Sequence, residues 1–211
     1  MKEQDLRNGS LYEYRYRYKA KRSSALFVCA LCLIVIAALC FRMYWTSTFG
    51  GVYVDGQSMY PTLTTGDELL MKYGAEAERG DVIVVDVRSY GFSDTQFLIK
   101  RLIATEGDAV YCEDGQVYIR YAGTDDFVAL DEPYAYCDYA YDFALYEVGE
   151  DEIFFLGDNR TNSRDSRYQE GLSHLTSSLY TVDDIYGVVP DWSIRFKGVL
   201  KYLPGMRVSH S

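Results

Sequence analysis

Residues 25–41 read ALFVCALCLIVIAALCF, an uncharged run of 17 apolar positions, and no second segment approaches it in length. With Ser23, Ser24, Met43 and Tyr44 admitted at its ends the run reaches about 21 residues, which at about 1.5 Å per residue crosses a hydrocarbon core of about 30 Å. The competing readings are the buried helix of a soluble domain and a cleaved signal peptide. The run is longer than a usual signal core, and the following FRMYWTSTF sets bulky residues where a small-x-small cleavage site would fall. The pattern therefore predicts an uncleaved transmembrane anchor over 23–45. Beyond it the period changes to short alternating or β-branched runs, as in GGVYVDG, DELLMKY, DVIVVDV, QFLIKRLIAT, DAVYC, QVYIR, DEIFFLG and IYGVVP. These predict seven or eight strands and a mostly β, antiparallel domain over 46–211, with an EDG turn joining DAVYC to QVYIR. Only SHLTSSLYTVDDI, headed by a serine, offers a further short helix.

Charge sets the expected orientation. The tail 1–22 carries Lys2, Arg7, Arg15, Arg17, Lys19, Lys21 and Arg22 against Glu3, Asp5 and Glu13, whereas only Arg42 follows the apolar run closely. A basic flank stays in the cytoplasm, so the domain after the anchor is expected outside it, in a single-pass protein of the cell membrane. RYRYKAKR also reads as a nucleic-acid patch, but beside an anchor it is more simply a topology signal resting on anionic lipid. From residue 46 onward 28 acidic residues face 13 basic ones, which argues against nucleic acid as a partner. About 165 residues suffice for one core and a small appended lobe.

Cys29, Cys32 and Cys40 lie in the predicted anchor, and Cys112 and Cys137 beyond it read equally as a disulfide or as two buried thiols. No spacing resembles a metal site and no cofactor is implied. The only histidines are His174 and His210, so a Ser-His-Asp arrangement has one poor candidate. A serine is also activated by a lysine that burial has made neutral. Lys100, inside FLIKRLIA, fits that need: on a strand it shares a face with Leu98 and Leu102, while Arg101 points with Ile99. The plainer reading is an edge-strand lysine reaching solvent. Ser58 follows the strand GVYVD in GQSMYPTL, where Gly56 permits a left-handed backbone and Pro61 steers Tyr60 away from helix. Alone it is an ordinary turn serine.

Together these segments resemble the bacterial type I signal peptidases, in a compact Gram-positive-like form. SMYPTL over 58–63, GDELLMK over 66–72, DVIVV from 81, KRLIATEGD over 100–108 and GDNRTNSRDSR over 157–167 appear in the family's order, just after a membrane segment. The resemblance implies a membrane-anchored serine endopeptidase that removes signal peptides from exported precursors, cutting after A-x-A through an acyl-enzyme. It implies Ser58 as nucleophile, Lys100 as general base and Ser166 as the hydroxyl orienting the lysine. Asp158 and Arg167 would form a supporting ion pair. The oxyanion would meet the Ser58 backbone N–H; the side-chain hydroxyl that some members carry two residues earlier is replaced by Gly56. Asp165 is expected to point away from Lys100, since a close carboxylate would raise the amine's pKa. Lys72, at a strand end, is the competing base.

Met59 and Tyr60 are expected around the substrate, and 51–55, with Val52 and Val54, as a strand against which it pairs. Precursor proteins, membrane lipid and the secretion machinery are the implied partners. Two departures stand out: the lysine box runs on as ATEGD, and 109–156 is the chain's own, with a tyrosine-rich 133–146 reading either as an exposed cap or as a hairpin packed on the core. A catalytically silent relative assisting surface assembly would not need Ser58, Lys100 and Ser166 together. A cytoplasmic self-cleaving repressor is disfavoured by the anchor.

Overall fold

The computed structural model describes residues 2–90, 96–167 and 180–200. The chain divides into two units, Met1–Ser47 and Thr48–Ser211. The first is a single helix, α1 (Lys2–Thr48), which runs through the basic tail as well as the apolar run. Tail residues such as Lys, Arg and Ala are good helix formers and no proline interrupts them. Within Ser24–Thr48 an 18-residue stretch reaches a mean hydropathy of 2.9, and none of that stretch is buried. A helix apolar on every side, with no protein covering it, is stable only in lipid.

The second unit is built on two antiparallel sheets. The larger uses β1 (Phe49–Tyr53), β2 (Glu68–Tyr73), β3 (Val82–Asp86) and β4 (Phe97–Thr105). The smaller uses β5 (Ala109–Glu113), β6 (Gln116–Arg120), β7 (Val128–Ala129) and β8 (Phe143–Glu147). β9 (Ile153–Leu156) and β10 (Ile185–Val189) return to the first sheet. The orders are β1-β2-β10-β3-β4-β9 and β7-β6-β5-β8. The expected mostly β, antiparallel architecture is therefore the one found.

VIVVD and FLIKRLIAT are nearly continuous apolar runs because both faces of the central strands are covered. Val82, Val84 and Ile99 join Met59, Leu63 and Leu69 in one cluster, while Ile83, Val85, Leu98 and Leu102 join Phe155 in another. A register shift between Leu102 and Ala104 kinks β4. Ile103 and Ala104 then pack with Val110, Ile119 and Phe154 under the smaller sheet. Asp114 and Gly115, at φ of 50° and 80°, make the two-residue turn between β5 and β6.

The short elements escaped sequence reading. β7 has two residues, β8 is mostly exposed, and α2 (Asp191–Arg195) and α3 (Lys197–Leu200) span about a turn each, too little for any period to register. Most of the helix expected in SHLTSSLYTVDDI lies outside the described residues, as do both histidines; its end forms a 3-10 turn, Val182–Asp184, after Thr181.

Leu102, fully buried where β3, β4 and β9 meet, tests this core. Leu102→Ala is expected to destabilise the second unit by about 2–5 kcal/mol, read from the denaturant midpoint at unchanged slope.

Candidate active site

After β1, Val54 N–H donates to Asp67 O (2.9 Å) and Gly66 N–H to Val54 O (2.9 Å), closing the intervening residues into a loop. The Thr65 hydroxyl accepts the Gly56 N–H and donates to Gly56 O, each at 3.0 Å. Gly56 has φ of +121°, a conformation essentially closed to L side chains, so a serine at this position would strain the turn. Inside the loop Leu63 N–H donates to Met59 O (2.8 Å), and both side chains are sunk in the core. Ser58 is thus held half-buried at the rim by anchors immediately after it. Among the described residues nothing accepts the Ser58 N–H.

Lys100 lies in the middle of β4 opposite Ile83 and is 2% exposed. Its Nζ is 2.8 Å from Ser58 Oγ and donates to Ile99 O at 2.9 Å. Burial pushes the amine's pKa down from 10.5 to about 8, against the opposing pull of Asp165 and then Asp158. Desolvation outweighs both carboxylates because each is already engaged. Asp165 accepts the Gly157 N–H (3.0 Å) and pairs with Arg167 at 2.8 and 2.9 Å. Asp158 pairs with Arg101 at 2.8 and 2.7 Å and accepts the Thr62 hydroxyl.

This corrects the expected Asp158–Arg167 pair. Arg101, adjacent to Lys100 but directed the other way, takes Asp158, and Arg167 folds back two residues onto Asp165. Ser166 also differs from expectation: its Oγ accepts the Phe155 N–H (3.0 Å), and no hydrogen bond joins it to Lys100 among the described residues. The hydroxyl that sequence reasoning missed is Ser163, which is buried and has no partner for its Oγ among the described residues. It lies beside Gly157, where a Cβ would stand 2.1 Å from Ser163 Oγ and 2.5 Å from Ser58 O. Both serines sit in one polar stretch and both are buried, so only their neighbours distinguish them.

Asn159 completes the contact between the loops: its N–H donates to Ser58 O and its Nδ2 to Gln57 O, each at 3.0 Å. The tyrosine-rich segment packs over this loop. Glu132 grips the buried Arg160 at 2.5 and 3.0 Å, Tyr141 Oη lies 2.5 Å from the same guanidinium, and the Tyr134 ring lies 3.9 Å from Arg101. Cys112 is buried and Cys137 exposed, both as free thiols.

A cleft of about 120 Å³ opens at Ser58 and Lys100, lined by 54–56, Met59 and 97–99. Val54 borders it; Met59 does so while 1% exposed. Val52 only packs against the core behind, and Tyr60 lies outside the lining, 40% exposed. Lys72 faces solvent on β2. A serine hydroxyl within reach of an amine whose pKa burial lowers to about 8, with an N–H at the same residue that no described group accepts, is equipped for acyl transfer. No cluster of three metal-binding side chains occurs among the described residues.

The chain is similar to known proteins over most of its length. Residues 25–194 match the family described as signal peptidase, peptidase S26. The chain is 33% identical over 161 residues to signal peptidase I S of Bacillus subtilis, covering 72% of this chain and 83% of that protein. It is 32% identical over 184 residues to signal peptidase I P of Bacillus subtilis subsp. natto, covering 81% and 88%. A crystal structure of a signal peptidase I from Enterococcus faecalis overlaps 55% of this chain and 98% of its own, at 27% identity and a TM-score of 0.41.

Burying Lys100 costs stability wherever the unfolded lysine carries its proton, because the folded site disfavours the charged form. The cost is complete below about pH 8 and fades as pH rises toward 10.5. Lys100→Met is therefore expected to stabilise the fold by roughly 3 kcal/mol at pH 7, with the gain vanishing near pH 11. Urea unfolding of the full chain in detergent across this range measures it; a gain independent of pH would contradict it.

Proposed function

This chain belongs to the signal peptidase family, peptidase S26, and on that premise we propose that Ser58 and Lys100 are the dyad with which it works. The protein is a membrane protease that removes signal peptides from secreted precursors by serine-lysine chemistry. The observation carrying the assignment is the 2.8 Å separation of Ser58 Oγ from an amine whose protonated form burial disfavours.

Neutral Lys100 accepts the Ser58 proton as Oγ attacks the scissile carbonyl, then returns it to the leaving amine. The resulting ester is hydrolysed by a water that Lys100 deprotonates in turn. The Ser58 N–H meets the oxyanion, without a side-chain donor at Gly56. Ser163, with its uncommitted hydroxyl next to Gly157 and Ser58 O, takes the positioning role first expected of Ser166. Asp158 and Arg167 act as support through separate pairs, with Arg101 and Asp165.

The precursor lies extended in the cleft between 54–56 and 97–100. Among the described residues β4 pairs along 97–100 only with β3, since β9 begins its pairing at Arg101, which leaves that backbone edge for an added strand. The small cleft suits alanine-sized side chains, with Val54 and Met59 forming its walls. The basic tail supports a cytoplasmic N-terminus and an extracytoplasmic catalytic domain, where precursors leave the secretion machinery.

Detergent-solubilised wild type is expected to cut a precursor after its A-x-A site, with termini confirmed by mass, and Ser58→Ala and Lys100→Ala to lose at least a thousandfold in kcat/KM, about 4 kcal/mol. Because the base must be neutral, kcat/KM should rise about tenfold per pH unit up to about 8 and level off above. Full activity in either variant would contradict the assignment.

A further inference from the structure

The tyrosine-rich segment does more than brace the catalytic loop. Along β4 the residues 97–100 line the cleft, and the next residue, Arg101, carries the Tyr134 ring. From there the segment runs on to Tyr136, whose N–H donates to Asp158 O (2.7 Å) and whose carbonyl accepts the Arg160 N–H (2.8 Å). A peptide extended along 97–100 with its scissile bond at Ser58 therefore continues past the nucleophile toward this segment.

There it meets two exposed rings. Tyr60, two residues after Ser58, and Tyr136 pack edge to face at 5.1 Å and 90°, being 40% and 36% exposed. Neither ring borders the cleft on the signal-peptide side. Tyr136 Oη donates to the Asp138 carboxylate, and Asp138 is itself fixed by its N–H to Thr161 Oγ1 at 3.0 Å. That hydrogen bond draws charge into the ring and holds an anion at its edge. Every charged residue from 121 through 159 is an aspartate or glutamate, so no neighbouring cation of that stretch competes. Ring faces bordered by a fixed carboxylate suit a cation on a long apolar stem.

We propose that Tyr60, Tyr136 and Asp138 form a subsite for a lysine or arginine side chain within the first residues after the scissile bond. The inference rests on the signal-peptidase reading, and concerns which mature ends are released fastest. A ring contact and an exposed ion pair together supply about a fivefold preference.

The test uses the full chain in detergent and four precursors identical through the A-x-A site, differing only in lysine, glutamine, phenylalanine or glutamate at the second position after the cut. The lysine precursor should exceed the glutamine one about fivefold in kcat/KM at low salt, with glutamate lowest, and the spread should narrow in high salt. Tyr136→Leu and Asp138→Asn should each bring the lysine-to-glutamine ratio below about twofold, and Tyr136→Phe should keep more of it than Tyr136→Leu. Equal turnover of lysine and glutamine precursors, preference for phenylalanine, or a ratio untouched by Tyr136→Leu and Asp138→Asn would overturn the subsite while leaving the protease reading standing. Failure to cut any of the four would overturn that reading and the subsite with it.

Discussion

An amine that is 2% exposed loses most of the water that would stabilise its proton, and everything near Ser58 is arranged around that loss. Lys100 cannot be buried cheaply, so a strand that places it opposite Ile83, between Ile99 and Arg101, must be held by its neighbours. β3 on one side and β9 from Arg101 on the other supply that hold, while 97–100 have no second partner strand among the described residues. The fold thus gives up stability to hold a weakened amine beside the Ser58 hydroxyl.

Carboxylates are the threat to this arrangement, since Asp165 and Asp158 both draw the amine's pKa back up. Two ion pairs blunt them, Arg167 with Asp165 and Arg101 with Asp158, and a third, Arg160 with Glu132, fixes the loop that carries them. These are pairs of low exposure, in which removing one partner leaves an uncompensated charge, so their value is geometric definition more than net stability. Through Asn159 and Gly157 the same loop touches the carbonyl of Ser58. Ser58, Lys100 and the countercharges are therefore set by one connected network reaching into the tyrosine-rich segment.

Much of this was legible in the sequence because it rests on pattern. A single lysine in FLIKRLIA announces a costly buried charge, alternation announces the sheet, and a long uncharged run announces the anchor. Ser58 was legible only in company, as its own surroundings look like any turn. The charge pairings were not legible. Three arginines and two aspartates lie within GDNRTNSRDSR, and which pairs form depends on where β4 presents Arg101. Ser163 and Ser166 are separated by three positions and differ only in what the fold brings near them, Gly157 and Ser58 for one and Phe155 N–H for the other. The tyrosines over the catalytic loop were visible as composition, but their seats on Arg101 and Arg160 are tertiary.

The central claim is that burial alone makes Lys100 a base. Direct titration of its Nζ, by nuclear magnetic resonance of the full chain in detergent with isotope-labelled lysine and Lys100→Met to identify the signal, tests this without any substrate. A midpoint near 8 is the predicted result. A midpoint near 10.5, with the chain folded, would show the amine charged at working pH and contradict the account.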